Sequence, residues 1–184
     1  ALLVLGLAVW THRREDRAWV RSLTAVAALG ILAQAVLGGV TVLWGLPKKV
    51  SIVHAVLGQG LFCLLVAVAQ AAAPGFRGRA RALGRPWSPA AWAIAALFVQ
   101  LALGAALRHT GQGLAWHLLG AFVALGLVSR AALRGRDSGR QDLVGLSTAL
   151  MGAVLLQLFL GFGALAARGM RALSALALLP TAHQ

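Results

Sequence analysis

The chain is a series of long apolar runs separated by short segments that carry most of its charge. A helix needs about 20 apolar residues to cross the hydrocarbon core of a bilayer, and the runs reach that length. They are continuously apolar and do not alternate with polar positions, so the strands of a membrane barrel are excluded. We therefore predict an all-α, polytopic membrane helix bundle. Its spans are predicted over five stretches, at about 22–46, 50–73, 88–107, 112–129 and 143–167.

Both ends of the chain fall inside further apolar stretches. The first covers residues 1–10 and is too short to span a bilayer, and the second begins near Ala172. Neither a methionine start nor the charge pattern of a signal peptide marks the first stretch. We expect the sequence to be a fragment of a longer protein, cut inside a helix at each end.

The composition fits a membrane protein, with 60% hydrophobic and 11% charged residues. The net charge of +13 would suit a nucleic-acid partner, but the arginines lie in short loops between spans and not on one soluble face. Three arginine-rich loops, at 11–21, 74–86 and 130–142, alternate with loops that are poor in arginine. By the positive-inside rule the rich loops face the cytoplasm. This predicts a multi-pass protein of a bacterial cell (inner) membrane, with lipid and not nucleic acid as its partner.

A repeated motif marks the spans that run outward. Each has the pattern Gln-x-x-Leu-Gly, and the span that follows carries a histidine near its outer end. The glutamines are Gln34, Gln100 and Gln157, and the histidines are His54, His117 and His183. The repeating unit is therefore a helical hairpin that is used at least three times.

The three histidines are candidate ligands of haem iron. A single histidine within a span is more often a hydrogen-bond partner of a neighbouring helix. Three histidines at equivalent depths favour a shared chemical role, and imidazole is well suited to bind iron axially. His117 and His183 belong to neighbouring hairpins and form the preferred axial pair. By the repeat, the partner of His54 is expected upstream of Ala1.

Other polar residues on the histidine side allow two interpretations each. The glutamines either contact a buried ligand or form interhelical hydrogen bonds, of which the second is favoured. In the loop 108–113, Arg108 either pairs with carboxylates such as haem propionates or extends its guanidinium to the membrane surface. No carboxylate lies in a predicted span or outer loop, so a catalytic acid is expected upstream of Ala1.

Three stretches of the chain together resemble the haem A synthase family. They are QAVLGGVTVL at 34–43 with His54, QLALGAALRHTGQG at 100–113 with His117, and QLFLG at 157–161 with LPTAHQ at 179–184. The resemblance covers nearly the whole chain and implies eight helices in two similar four-helix halves. It also implies that the sequence lacks the first helix, most of the second and most of the eighth. The implied parts are a partial N-terminal half at 1–73, a cytoplasmic linker at 74–87 and a truncated C-terminal half at 88–184.

The family oxidises the C8 methyl group of haem O to a formyl group, which gives haem A for terminal oxidases. The resemblance therefore implies an oxidoreductase with haem b as cofactor and haem O as substrate. It would act between haem O synthase and terminal oxidase assembly, with an unidentified electron acceptor. His117 and His183 match the axial ligands of haem b in the C-terminal half, and Arg108 lies in the loop before His117. His54 matches one histidine of the substrate-haem pair in the N-terminal half.

The sequence departs from the family pattern in three respects. The first-half partner histidine and the outer-loop glutamate that the family uses catalytically are absent, the outer loop before His117 is very short, and the cysteine pair of some members is missing. We expect the fragment to be inactive alone. Two other functions stay open: a bis-histidine haem b protein that only transfers electrons, and a haem-free transporter or scaffold with structural histidines.

Overall fold

Six α-helices make up the described part of the chain. The computed structural model describes residues 1–73 and 89–178, with side chains up to Met170, and these ranges contain no strand. In chain order the helices are α1 (Leu2–Arg14), α2 (Ala18–Leu43), α3 (Lys48–Ala72), α4 (Pro89–Thr110), α5 (Leu114–Arg136) and α6 (Gln141–Leu178). Helices α2 to α6 are each long and apolar enough to cross a membrane. The predicted fold class, an all-α polytopic membrane protein, is confirmed.

The exposed surface of the spans is mostly apolar, which is unfavourable in contact with water. Between 6% and 11% of the residues in the most apolar part of each span are buried inside the protein. Large apolar side chains such as Leu29, Phe62 and Phe159 are exposed. Continuous apolar surface of this kind is stable only when it is covered, and lipid covers the spans of a membrane protein. The chain is therefore a multi-pass membrane protein.

Helices α2 and α3 pack along a seam of residues that are spaced three and four apart. The buried members are Val20, Thr24, Ala27 and Thr41 on α2, and Ser51, Leu61, Val68 and Ala71 on α3. Most are small, which lets two helices approach closely in lipid, where no hydrophobic effect drives them together. At Gly30 the side chain of Leu61 occupies the space that a β-carbon would need. The seam therefore depends on glycine and on small side chains.

Helix α2 ends in a Schellman motif that reverses the chain. The backbone is left-handed at Gly45 (φ +66°) and at Leu46 (φ 61°). The N–H of Leu46 donates to the carbonyl oxygen of Thr41 at 2.7 Å, and the N–H of Gly45 donates to that of Val42 at 3.5 Å. These are the two hydrogen bonds of the motif, and Pro47 then prevents the helix from continuing. The short turn makes α2 and α3 an antiparallel hairpin.

Arg17, between α1 and α2, connects three segments of the chain. Its guanidinium donates to both carboxylate oxygens of Glu15, each at 2.7 Å, and to the carbonyl oxygen of Ala71 at 2.8 Å. The hydrogen bond to Glu15 raises the pKa of Arg17 above its usual value. The guanidinium also lies over the ring of Trp19, 5.6 Å from its centroid. Arg17 therefore fastens the start of α2 to the end of α3.

The residues group into two compact units. The first comprises Ala1–Pro86 and Leu97–Gly120, and the second comprises Trp87–Ala96 and Ala121–Gln184. The boundaries fall within α4 and α5, so each of these helices contributes to both units. The predicted division of the chain into two halves, at the linker 74–87, stays a prediction, and most of that linker lies outside the described residues.

In the second unit, small residues of α5 are buried on one face of the helix. Ala124, Val128 and Ala132 are buried and lie one turn apart on a single face of α5. Further along α5, the hydroxyl of Ser147 on α6 occupies the space beside Gly135. Small residues at a spacing of four are the usual means by which membrane helices approach closely.

One prediction about the last hairpin is wrong. The sequence predicts a span at 143–167 and a new helix near Ala172, whereas α6 is one helix from Gln141 to Leu178. The intervening residues include no proline, and arginine, methionine, alanine and leucine all favour a helix, so the single Gly169 does not end it. For the same reason α5 continues past residue 129 to Arg136. The third hairpin is therefore not formed within the described residues.

Candidate functional site

Two of the predicted iron ligands lie at matching positions in two hairpins of the first unit. His54 is in the second turn of α3 and His117 is in the first turn of α5, and both are half-buried. The preceding helix of each hairpin carries a half-buried glutamine, Gln34 in α2 and Gln100 in α4. The sequence repeat therefore corresponds to a repeated contact between helices.

In the first hairpin, the side chain of Gln34 joins α2 to α3. Its Nε2 donates to the backbone carbonyl oxygen of His54 at 2.9 Å. Gly58, one turn after His54, makes room for this amide, because a β-carbon there would lie 2.8 Å from Gln34 Nε2. In return the imidazole of His54 lies against Gly38, where a β-carbon would be 3.2 Å from the ring atom Cε1. Each helix thus provides one polar side chain and one glycine that receives the polar side chain of the other.

The second hairpin repeats this arrangement. Nε2 of Gln100 donates to the backbone carbonyl oxygen of His117 at 3.0 Å, and its amide occupies the space beside Gly120. The imidazole of His117 lies against Gly104, where a β-carbon would be 3.0 Å from Cε1. We call each set of four residues a clasp. The first clasp is Gln34, Gly38, His54 and Gly58, and the second is Gln100, Gly104, His117 and Gly120.

The clasps decide between the two interpretations of the glutamines in these hairpins. The interhelical hydrogen bond is confirmed for Gln34 and Gln100. Gln157, the third member of the repeat, is exposed on α6, and within the described residues it has no hydrogen bond. The repeat motif is therefore a packing device in two of its three copies.

The two clasps differ at the ring nitrogens of their histidines. In the second clasp, Nε2 of Gln100 also lies 3.1 Å from Nδ1 of His117. An amide nitrogen can only donate, so this contact favours the tautomer of His117 that carries its proton on Nε2. In the first clasp, Nδ1 of His54 is buried and has no hydrogen-bond partner among the described residues. The imidazole of His54 is therefore held by packing alone.

Several buried polar atoms beside the imidazoles lack partners within the part of the chain that the structure describes. They are Oε1 of Gln34, Oε1 of Gln100, Nδ1 of His54 and Oγ of Ser51. Ser51 lies one turn before His54. It was not predicted as a site residue, although it is one of the buried residues by which α3 packs against α2. Such unpartnered atoms are rare in a folded protein and are common where a ligand binds.

The clasp residues fit the ligation of haem iron. Iron binds the unprotonated nitrogen of a neutral imidazole, and the other nitrogen then donates its N–H to a neighbouring acceptor. If the amide of Gln100 turned, its unpartnered Oε1 would supply that acceptor for Nδ1–H of His117. Nε2 would then be left to bind iron. In the second clasp this requires Gln100 to give up its present contact with His117.

The turn between α4 and α5 explains most of the distinctive loop at 108–113. Gly111 (φ +74°) and Gly113 (φ +86°) adopt left-handed conformations that favour glycine. The hydroxyl of Thr110 donates to the carbonyl oxygen of Ala106 at 2.7 Å. Arg108 is exposed in the last turn of α4. The glycines and the threonine therefore shape the backbone, and the pairing of Arg108 with haem propionates stays a prediction.

The described residues do not form a complete metal site. Over these ranges there is no group of three or more His, Cys, Asp or Glu side chains that could hold a metal ion. His183 lies outside the described residues, and the partner of His54 stays a prediction. The pairing of His117 with His183 stays a prediction, and it requires the chain to reverse direction after α6.

Comparison with known proteins adds no family to this geometry. No protein-family model, no curated protein and no solved structure matches the chain. The function must therefore be inferred from the two clasps and from the sequence motifs that form them.

Proposed function

We propose that the chain is part of a haem A synthase-type membrane oxidoreductase. In this proposal it oxidises the C8 methyl group of haem O to a formyl group and uses a bis-histidine haem b as its cofactor. The observation that supports the proposal is that two successive hairpins hold an imidazole in the same way. The resemblance of the motifs around Gln34, Gln100 and the loop 108–113 to that family supports it independently of the fold.

Apart from the contact of Gln100 Nε2 with Nδ1 of His117, the hydrogen bonds of the clasps do not require an imidazole. Both glutamines donate to the backbone carbonyl oxygen of the histidine, and every residue type has that oxygen. An alanine at either position would still accept the interhelical hydrogen bond. A polar ring at this depth in a membrane helix is costly and usually functional. The repeated choice of histidine is therefore best explained by a ligand that needs imidazole.

Each residue has a defined role in the proposal. His117 and His183 would hold haem b, with Arg108 paired to its propionates, and His54 would hold the substrate haem with a histidine upstream. Haem b, when bound, supplies transfer of single electrons. The chain places the imidazoles against Gly38 and Gly104, and the amide of Gln100 lies within hydrogen-bond distance of Nδ1 of His117. The protein would lie in a bacterial cell membrane with its arginine-rich loops in the cytoplasm, between haem O synthase and terminal oxidase assembly.

A second function, electron transfer by a bis-histidine haem b protein, is favoured by the position of the carboxylates. Glu15 and Asp16 lie between α1 and α2, Asp137 lies between α5 and α6, and Asp142 is in the first turn of α6, so none of the four acidic residues belongs to a clasp. Oxidation of a methyl group needs a residue that can move protons, and the clasps contain no carboxylate for it. Formation of haem A in membranes that contain haem O, by the longer protein that the sequence predicts, would distinguish oxidation from electron transfer.

The haem sites are tested by alanine substitutions at the three histidines. We expect His117→Ala and His183→Ala to abolish retention of b-type haem, because each removes an axial ligand, and His54→Ala to spare it. Haem content is measured by the Soret band and by the pyridine haemochrome spectrum of purified protein. His12→Ala, which changes an exposed histidine at the end of α1, is the matched control. Equal haem loss in all three variants would contradict the assignment of sites, and absence of a Soret band in the unaltered protein would remove both haem functions.

A further inference from the structure

A cavity of about 230 Å³ lies in the second unit, where α4 begins and α5 ends. Its walls are Pro89 and Trp92 from α4 and Leu127, Arg130 and Arg134 from α5. Residues spaced three or four apart share one face of a helix, so each helix presents a single face to the cavity. The cavity is thus lined by two guanidinium groups, an indole ring and the apolar side chains of Pro89 and Leu127.

The two arginines of this cavity lack carboxylate partners within the described residues. The ion pairs among the described residues are Arg17 with Glu15 and Arg140 with Asp142. Arg130 and Arg134 are both exposed and lie one turn apart, a spacing at which like charges repel each other. An anion between them would remove that repulsion and satisfy their donors.

The cavity lies at the depth of lipid headgroups. α5 changes there from an apolar run to a cluster of arginines, as spans do where they leave the hydrocarbon. Trp92 is 56% exposed in the first turn of α4, a position that is typical of the aromatic belt at a membrane interface. Basic pockets between membrane helices at this level bind anionic lipid headgroups.

We propose that this cavity binds the phosphate headgroup of an anionic phospholipid. The planar guanidinium groups of Arg130 and Arg134 match the geometry of phosphate oxygens, which they bind with two parallel hydrogen bonds. Trp92 and Leu127 would contact the glycerol backbone and the first acyl carbons of the lipid. A free phosphate ion would use the arginines alone, whereas a lipid uses the apolar wall as well. This site is independent of the haem proposal, because it shares no residue with either clasp.

The proposal is tested by lipid titration of the purified protein in a neutral detergent. Binding of dioleoyl-phosphatidylglycerol and of dioleoyl-phosphatidylcholine is followed by native mass spectrometry. We expect the double variant Arg130→Gln/Arg134→Gln to bind phosphatidylglycerol about tenfold more weakly than the unaltered protein, because both phosphate ligands are lost. Trp92→Leu, which keeps both charges, should weaken binding by about threefold.

The matched control is Arg14→Gln/Arg136→Gln, which removes the same charge from two exposed arginines that do not line the cavity. It should change the affinity less than twofold. Equal weakening in the two double variants would overturn the proposal, since the lipid would then respond only to total surface charge. Unchanged binding in both Arg130→Gln/Arg134→Gln and Trp92→Leu would overturn it as well. Displacement of phosphatidylglycerol by millimolar inorganic phosphate, together with unchanged binding in Trp92→Leu, would show that the arginines bind phosphate without the apolar wall and would overturn the assignment to a lipid.

Discussion

In each clasp the glutamine donates to the backbone carbonyl oxygen of the histidine. The imidazole ring of the same histidine packs against a glycine of the neighbouring helix. At the scale of residues, the hydrogen bond and the ring therefore have separate purposes. The hydrogen bond joins the helices, and the ring is placed with its nitrogens at the helix interface. This separation means that the structural and the chemical roles of the clasp can be removed independently by substitution.

We predict that Gln100→Leu weakens the second hairpin. The substitution removes the second hydrogen bond to the carbonyl oxygen of His117, which keeps its bond within α5. An interhelical hydrogen bond in a membrane protein contributes about 0.6 kcal/mol on average and about 1.7 kcal/mol at most. The measurement is the apparent free energy of unfolding in detergent. The matched control is Gln157→Leu, at the corresponding motif position on α6, where the glutamine is exposed. An equal effect of both substitutions would show that the Gln100 hydrogen bond does not join the helices.

The residues of the clasps could largely be predicted from the sequence, but their contacts could not. The repeat identified Gln34, Gln100, His54 and His117, because the motif recurs at the same place in each hairpin. Each glutamine donates to a backbone carbonyl oxygen, which every residue type has. The sequence therefore does not show which residue accepts the hydrogen bond. Ser51 went unnoticed because a lone serine in a span usually bonds to its own helix.

At the scale of elements, the ends of the second and fourth helices were predicted at about 46 and 107, and the structure has them at Leu43 and Thr110. Each of these helices ends before a glycine in a left-handed conformation, Gly45 or Gly111. Helix ends were predicted poorly where arginine was taken as the boundary. Arginine marks the edge of the bilayer but favours a helix, so α5 and α6 continue through it. Membrane boundaries and helix boundaries are thus different properties of the same chain.

Two adjacent glycines of α2 allow a matched test of the helix seam. We predict that Gly38→Ala unfolds with a free energy about 1–3 kcal/mol lower than Gly39→Ala, because a β-carbon at position 38 presses on the imidazole of His54 and overpacks the seam. A β-carbon at Gly39 meets no atom within 4 Å. Both substitutions change helix propensity equally, so their difference isolates the contact. Equal free energies of unfolding would show that the ring of His54 moves away without cost.

At the scale of the whole molecule, the membrane class follows from apolar length alone. Five spans were predicted and five helices are long enough to be spans. The third hairpin stays a prediction, since α6 is one helix to Leu178 and the residues after it lie outside the described ranges. The grouping of residues into units also escaped prediction, because it depends on which helix faces meet, and uniformly apolar spans do not encode this in their hydropathy.

The orientation of the chain in the membrane is testable with single cysteines. In a Cys63→Ser background, we predict that a membrane-impermeant maleimide added outside the cell labels Gln112→Cys and does not label Ser138→Cys until the membrane is disrupted. Both positions are exposed and lie at opposite ends of α5. The physical reason is that the loop at 130–142 carries the arginines that stay in the cytoplasm. The reverse labelling pattern would contradict the proposed orientation, and labelling of both from one side would show that α5 does not span.

The length of α6 has a mechanical consequence. Its 38 residues extend over about 57 Å at 1.5 Å per residue, which is almost twice the hydrocarbon thickness of about 30 Å. Membrane helices tilt by at most about 40°, and at that angle about 26 residues of α6 would be enough to cross. At least three turns in total must therefore lie outside the hydrocarbon, in the headgroup layers or beyond them. The ends of α6 thus belong to a polar environment, although most of the helix is apolar.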